Sequence, residues 1–183
     1  MLTAGQFLFR PFIENDAASF TEAVRESVTT VGKWMSWAHS GYSEAEAQSW
    51  FALCAQERAK GTSHEFGIFD ADSKTFVGGC GLNQFNAVHG FCNLGYWVRQ
   101  SWQRKGAASA AVQALARFAF EELKLGRVEI VVAAENAPSI AVAAKAGALQ
   151  EGLARNRLKV HARFTDAYVF SLVPEFGAQL LEK

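Results

Sequence analysis

The chain has 183 residues, half of them hydrophobic and a fifth charged, with 18 Lys and Arg balanced by 18 Asp and Glu. That size suits one domain, over residues 1–183, able to bury its own core. The composition excludes a disordered chain, and the charge balance excludes a bulk electrostatic grip on nucleic acid or an anionic membrane, though not a local cationic patch. No uninterrupted apolar stretch is long enough to span a bilayer, and the segment from Met1 to Gln6 lacks the cationic and apolar run of a signal peptide. The cysteines are Cys54, Cys80 and Cys92, an odd number without C-x-x-C spacing, and the four histidines are scattered. Neither a disulfide framework nor a metal site is expected, and a reducing cytoplasm fits.

Phe7 to Phe12 reads as a first strand ended by Pro11. Asn15 or Asp16 then caps a helix reaching to about Val31, with Ala17, Phe20, Val24 and Val28 at helical spacing. After the aromatic segment Trp34-Met35-Ser36-Trp37, Ser43-Glu44-Ala45-Glu46 is a capping box opening a helix that stops at Gly61. The period then shortens. Glu65 to Phe69 and Thr75 to Leu82 form a hairpin around the turn-forming residues 70–74, and Phe91 to Val98 is a further strand.

Lys105 to Leu123 is the longest helical pattern. Ser109, Gln113, Arg117 and Glu121 make one narrow polar stripe among Ala, Val, Leu and Phe, so the helix is largely buried and its alanines let it lie close to a sheet. Arg127 to Ala134 is an apolar strand, which with the preceding helix implies a parallel crossover pair. A short helix from Ala137 to Ala146 stops at Gly147, and two strands follow, Leu149 to Lys159 and Arg163 to Val173. These elements add up to one α/β domain with a mixed sheet of about seven strands and flanking helices.

The informative junction is the strand Gly95-Tyr96-Trp97-Val98, a loop, and then Gln103-Arg104-Lys105-Gly106-Ala107-Ala108. A helix starts there on residues too small to shield its backbone. Free first-turn N–H groups and the helix dipole favour an anion, Gly106 lets a phosphate approach, and Arg104 and Lys105 add positive charge. An ordinary helix N-terminus with surface cations has the same local pattern. Neither the Walker spacing nor the G-x-G-x-x-G dinucleotide fingerprint is present.

Gln103-x-x-Gly106-x-Ala108 resembles the Q/R-x-x-G-x-G/A signature of the GNAT acetyltransferase superfamily. Together with Leu94-Gly95-Tyr96-Trp97-Val98, Asn136-Ala137-Pro138-Ser139, Lys145-Ala146-Gly147-Ala148, the Trp34 to Trp37 segment and the closing Asp166 to Leu172, the chain is similar to the RimJ/RimL branch, N-terminal acetyltransferases of ribosomal proteins. The resemblance implies a single GNAT-like domain whose fourth and fifth strands, a parallel pair, splay apart around acetyl-CoA. It places the pyrophosphate on the backbone N–H groups from Arg104 to Ala108, with Gln103 in the same signature. It pairs the pantetheine arm with main chain at Trp97 and Val98, where an N–H polarises the thioester carbonyl, and it sets Asn136 against the cofactor from the far side. Ser139 is then the candidate proton donor to the CoA thiolate. Trp34 and Trp37 wall the acceptor. The implied acceptor is a primary amine such as a protein N-terminus, ribosomal or other, for a cytoplasmic monomer or homodimer without direct nucleic-acid or membrane binding.

Two departures from the superfamily stand out. Many GNAT enzymes carry a tyrosine acid where this chain has Ala143, and the usual Gly-Phe ending is Gly147-Ala148 here. No base is evident in the fourth strand beyond Asn93, leaving Glu65 or His64 on a neighbouring strand. Each candidate also has a plain structural role: Glu65 as a solvated strand residue, Ser139 as a backbone cap, Asn136 as an N-cap, the tryptophans as core. An α-amine, with a pKa of about 7.7 to 8.0, costs only about 1 kcal/mol to deprotonate near neutrality, whereas a lysine at about 10.4 costs nearly 5. A weak base therefore favours an α-amine. A small-molecule amine acetyltransferase, an acyl-CoA-binding module without turnover and a nucleotide-binding domain remain alternatives, and the roles of Arg155, Arg157 and His161 stay open.

Overall fold

In the computed structural model, which describes residues 1–174, alternating apolar runs fold into a single eight-stranded sheet. The strands are β1 (Leu2–Ala4), β2 (Phe7–Arg10), β3 (His64–Asp70), β4 (Phe76–Asn86), β5 (Phe91–Val98), β6 (Arg127–Ala133), β7 (Leu149–Val160) and β8 (Arg163–Leu172). Four helices accompany them: α1 (Ala17–Glu26), α2 (Glu44–Lys60), α3 (Ala107–Glu121) and α4 (Ala137–Lys145). The spatial order is β1-β2-β3-β4-β5-β6-β8-β7. Every neighbouring pair is antiparallel except β5 and β6, the pair joined by α3. The strand beyond the expected seven is β1, which pairs with β2 around a turn at Gly5.

Alternation along β5 sends its side chains to two cores. Cys92, Leu94 and Val98 meet Ala111, Val112 and Leu115 of α3 on one face. Trp97 meets Phe20 of α1 and Phe76 on the other, in a cluster that also holds Phe51 of α2. The buried alanines of α3 let it sit close against the strands, while Gln113, Arg117 and Glu121 of its polar stripe are exposed and Ser109 is half-buried.

The capping box forms as its residues dictate: Ser43 Oγ accepts from Glu46 N at 3.3 Å, and Glu46 Oε2 accepts from Ser43 N at 2.9 Å. Gly61 closes α2 in the left-handed region. Helix α1 departs from expectation at both ends. Asp16 does not cap it, because its carboxylate is spent on Ile13 N and on Arg10, at 2.9 and 2.7 Å. At the other end α1 stops at Glu26, short of Val31. Ser27 Oγ donates back to Ala23 O at 2.6 Å, and the amides of Thr30, Val31 and Gly32 converge on Ser27 O, winding the chain into turns up to Trp34. No helix among the described residues is long and apolar enough to cross a membrane.

Candidate active site

The parallel strands part early. β5 and β6 pair only at Phe91↔Arg127, Cys92↔Val128 and Asn93↔Glu129. Beyond that point β5 stays with β4 as far as Val98, and β6 stays with β8 as far as Ala133. Residues 94–98 of β5 therefore face a gap where a neighbouring strand would be.

Following β5 out of the gap leads to the phosphate-like loop. Arg104 (φ 64°) and Gly106 (φ 87°) both lie in the left-handed region, and this alternation turns successive amides toward a common side. Among the described residues, the N–H groups from Arg104 to Ser109 donate to no protein acceptor, and Gly106 provides no side-chain cap for α3. Among the described residues, a Cβ at Gly106 would meet no atom within 4 Å beyond its chain neighbours, so the space beside Gly106 is open. Arg104 and Lys105 are exposed beside it, with Lys105 Nζ over the Trp102 ring at 4.6 Å. Open amides, positive charge and no covering side chain suit a pyrophosphate. Gln103 acts differently. Its Nε2 donates to Val98 O and to Thr30 Oγ1, both at 3.2 Å, and so braces the loop.

The brace extends to α1. Arg99 is buried and pairs with Glu22 at 2.7 Å and with Glu26, whose other oxygen accepts from Ser101 N. Gln100 N donates to Ser27 Oγ at 3.0 Å.

On the sheet face toward α1 and α2, a cavity of about 360 Å³ opens beside the gap. Gly79 and Gly95 belong to its floor, Phe12, Phe20 and Tyr42 to its walls, and Glu65 and Asn83 supply its polar side. Trp37 lines it; Trp34, with Lys33 Nζ over its ring at 4.8 Å, does not. Met35, Trp50, Cys80, Tyr96 and Trp97 complete the lining among the described residues.

Strand register explains how Glu65 reaches this cavity. Glu65 pairs with Gly81, and Gly81 with Gly95, so the three form a row across β3, β4 and β5, roughly 10 Å from end to end. A Cβ at Gly81 would stand 1.8 Å from Glu65 Oε2; only glycine lets the carboxylate lie across this strand toward the gap. Asn83 Nδ2 donates to Glu65 Oε1 at 3.2 Å, Ser63 Oγ at 3.0 Å, and Asn93 Nδ2 supports Asn83 at 3.0 Å. Burial pushes the Glu65 carboxyl above its ordinary value, against those hydrogen bonds and the charge of Arg58. Glu65 is thus a half-buried, braced carboxylate rather than a solvated strand residue. His64, one residue earlier, faces the other way, against Phe85 and Phe118 of α3. Asn93, bonded to Asn83, is a brace with no basic atom.

Across the gap, Asn136 Oδ1 accepts from Ser139 N at 3.3 Å and caps α4. The cap uses the Ser139 amide, not its hydroxyl. The hydroxyl lies 2.9 Å from Tyr96 Oη, and Tyr96 also donates to Ser139 O at 3.2 Å. Burial pushes the Tyr96 phenol up to about 12, with the Ser139 hydrogen bond opposing, so it holds its proton at neutral pH. Ala143, where a tyrosine acid is usual, is fully buried in the core. The phenol near Ser139 comes instead from β5, opposite α4. Tyr96 and Trp50 escape a reading of the sequence: Tyr96 shows only as part of a strand motif, and Trp50 as one apolar residue in a helix.

Residues 6–149 match the acetyltransferase (GNAT) domain family. The chain belongs to the GNAT family. YdaF of Bacillus subtilis (strain 168), provisionally named a ribosomal N-acetyltransferase, is 31% identical over 163 residues, 86% of each chain. The uncharacterized N-acetyltransferase p20 of Bacillus licheniformis is 35% identical over 114 residues, 62% of this chain and 64% of p20. RimJ of Mycobacterium smegmatis, in complex with CoA-disulfide, superposes with a TM-score of 0.85 at 25% identity, covering 97% of this chain and 87% of that one. Membership in the family and the likeness to RimJ agree with the motifs read from the sequence. This GNAT domain keeps the splayed parallel pair while its hydroxyl pair, Tyr96 and Ser139, spans the gap. Arg155 and Arg157 are exposed, and His161 Nε2 donates to Gly32 O at 2.7 Å, tying the β7–β8 turn to the loop after α1.

Proposed function

We propose that this N-acetyltransferase moves the acetyl group of acetyl-CoA to the α-amine of a protein N-terminus, ribosomal or other. One stretch of backbone carries the reading. Residues 94–98 of β5 have lost β6, contribute Gly95, Tyr96 and Trp97 to the aromatic cavity, and run on into the uncapped amides. Acetyl-CoA supplies an activated acyl group and a thiol leaving group. The amides from Arg104 to Ala108 bind its pyrophosphate, with Lys105 and Arg104 adding charge, while Gln103 holds the loop in place. Main chain at Trp97 and Val98 pairs with the pantetheine arm as an added strand, and an N–H near Val98 donates to the thioester oxygen. Asn136 flanks the arm from α4.

Glu65 takes a proton from the acceptor, directly or through one water; a carboxylate is a weak base even with its basicity raised by burial, which suits an α-amine better than a lysine. Ser139 gives a proton to the departing sulfur, Tyr96 resupplies it and regains a proton from water, and Glu65 releases the acceptor's proton to water. Trp37 walls the acceptor; Tyr42 and Trp50 take the place expected of Trp34. The name of YdaF and the likeness to RimJ support a protein N-terminus as acceptor. A cytoplasmic monomer or homodimer, in contact with neither nucleic acid nor membrane, fits this role.

The test is steady release of CoA from acetyl-CoA in the presence of peptides with a free N-terminus, compared with the same peptides blocked at the N-terminus but carrying a free lysine. Turnover confined to the free N-terminus supports the assignment. Turnover only at lysine overturns the acceptor, and tight acetyl-CoA binding without turnover overturns the enzyme.

A further inference from the structure

Given the acetyl transfer proposed above, we infer that the residue bearing the acceptor amine has a large apolar or aromatic side chain, and that this side chain occupies the cavity between the β3–β5 face and α1–α2. The cavity measures about 360 Å³, a volume in the range of small-molecule pockets. With the reacting amine and the acetyl group on its Glu65 and Tyr96 side, the methyl of alanine or the hydroxymethyl of serine would still leave its aromatic part unfilled. An aromatic or long aliphatic side chain would fill it and shed its water.

Its walls are already assembled. Trp37 meets Trp97 edge-on with centroids 5.5 Å apart and meets Tyr42 at 6.2 Å, and Phe20 meets Trp97 at 5.4 Å. These rings hold one another in place, so a ligand ring joins a built edge-to-face array without having to order it. Trp37 and Trp50, at the cavity, keep 39% and 37% of their surface exposed, apolar area that an inserted side chain would cover.

The floor is kept bare. Gly95 lines the cavity, and a Cβ there would meet no atom within 4 Å. Among the described residues, the cavity's lining includes one carboxylate, Glu65, and no Lys, Arg or His. That charge accepts an ammonium and rejects an acceptor whose first side chain is acidic. An apolar box with one carboxylate therefore recognises an amine attached to a bulky apolar group.

The experiment uses the full-length protein, acetyl-CoA, and peptides differing only in the first residue: Ala, Ser, Leu, Phe, Trp or Asp. Phenethylamine and ethylamine serve as acceptors without a peptide. kcat/KM for Phe or Trp first should exceed that for Ala by more than about tenfold, with Asp lowest. Gly95→Val places its branch in the open space, and the Phe-to-Ala ratio should fall at least about tenfold. Gly95→Ala should give a smaller change of the same sign, and it provides the reading if the valine variant fails to fold. Calorimetric titration of the Phe-first and Ala-first peptides into the protein with CoA reads the cavity independently of turnover. Equal or better use and binding of Ala- or Ser-first peptides overturns the bulky-acceptor assignment while leaving acetyl transfer intact. Turnover of phenethylamine over ethylamine without turnover of any peptide supports the cavity's selectivity and overturns the protein N-terminus as acceptor. Preferential binding of the Phe-first peptide without any turnover likewise supports the cavity and overturns the transfer reaction.

Discussion

Tyr96 Oη and Ser139 Oγ meet at 2.9 Å, and this contact joins β5 to α4 where β5 no longer pairs with β6. Because Asn136 caps α4 through the Ser139 amide, the hydroxyl of Ser139 carries no capping duty. Ser139→Ala should therefore leave the melting temperature nearly unchanged while lowering kcat about a hundredfold, with KM for acetyl-CoA moving much less. Tyr96→Phe keeps the ring and removes only the resupply of the proton, so kcat should fall by about tenfold. The double variant should be no worse than Ser139→Ala alone, since both residues act on one proton. Steady-state kinetics on the three variants decide it; an unaltered kcat in Ser139→Ala would remove the serine from the chemistry.

Much of this scaffold was legible in the chain because it rests on local rules. Ser43 and Glu46 are neighbours on one helical turn, so their capping box needs no tertiary information. Phe91 to Val98 forms β5 with the expected bounds, since β-prone Phe91, Tyr96, Trp97 and Val98 follow directly on the turn residue Gly90. The Gly106 junction shows in sequence because small residues must stand where a backbone is exposed. What stayed hidden depends on partners distant in sequence. Asp16 would cap α1 if Arg10 did not claim it. The Ser139 hydroxyl reads as a cap until Tyr96, 43 positions earlier, is seen beside it. Trp34 and Trp37 are equivalent on paper, and only the turns after Ser27 decide that Trp37 faces the cavity.

The cradle can be tested with a pair of substitutions at Gly106. Both Gly106→Ala and Gly106→Glu must hold a side chain at φ 87°, a strain of about 1 to 2 kcal/mol. Neither Cβ meets an atom within 4 Å, so the two should fold alike. Only glutamate adds bulk and negative charge over the amides. Calorimetry should show CoA affinity weakened modestly in Gly106→Ala and lost in Gly106→Glu. Equal affinities in the two variants would place the phosphates elsewhere.

Glu65 links activity to stability through pH. Burial raises its carboxyl in the folded state, so the native protein binds the proton more tightly than the unfolded chain does. Its stabilising contribution is full below the unfolded pKa of about 4.3 and is lost as pH rises through the higher folded value. Glu65→Gln should remove that loss, giving a smaller fall in melting temperature between pH 4 and neutrality than the wild type shows. The same variant should lower kcat/KM by about 10² or more at neutral pH, because the amide cannot accept the acceptor's proton. A wild-type activity that rises with pH through the acid range, and a Glu65→Gln residual activity lacking this limb, would fit. If the variant keeps full activity, Glu65 is only a brace for Asn83.

An ion pair between Arg99 and Glu26 anchors the cradle from behind. Arg99 is buried, and Glu26 both pairs with it and accepts from Ser101 N, so one carboxylate holds the start of the loop that ends at Gly106. Burial alone would raise the Glu26 carboxyl, but the hydrogen bonds from Arg99 and Ser101 outweigh it and hold the group below its usual range. Its stabilisation is therefore present above the unfolded pKa and is lost as pH falls through the folded one. Glu26→Gln keeps the shape and removes the charge, which costs about 1 to 3 kcal/mol through the weakened bond to Arg99. Because Gln100, Ser101 and Gln103 are all tethered to α1 or the turns after it, loosening one tether misplaces the amides without touching Glu65, Tyr96 or Ser139. KM for acetyl-CoA should rise by about tenfold and kcat should stay within about twofold, since displaced binding groups cost affinity before chemistry. Gln103→Leu, which cuts the tethers to Val98 and Thr30, should act in the same direction. A fall in kcat at unchanged KM in both variants would show that the anchor serves the reacting groups instead of the phosphate loop.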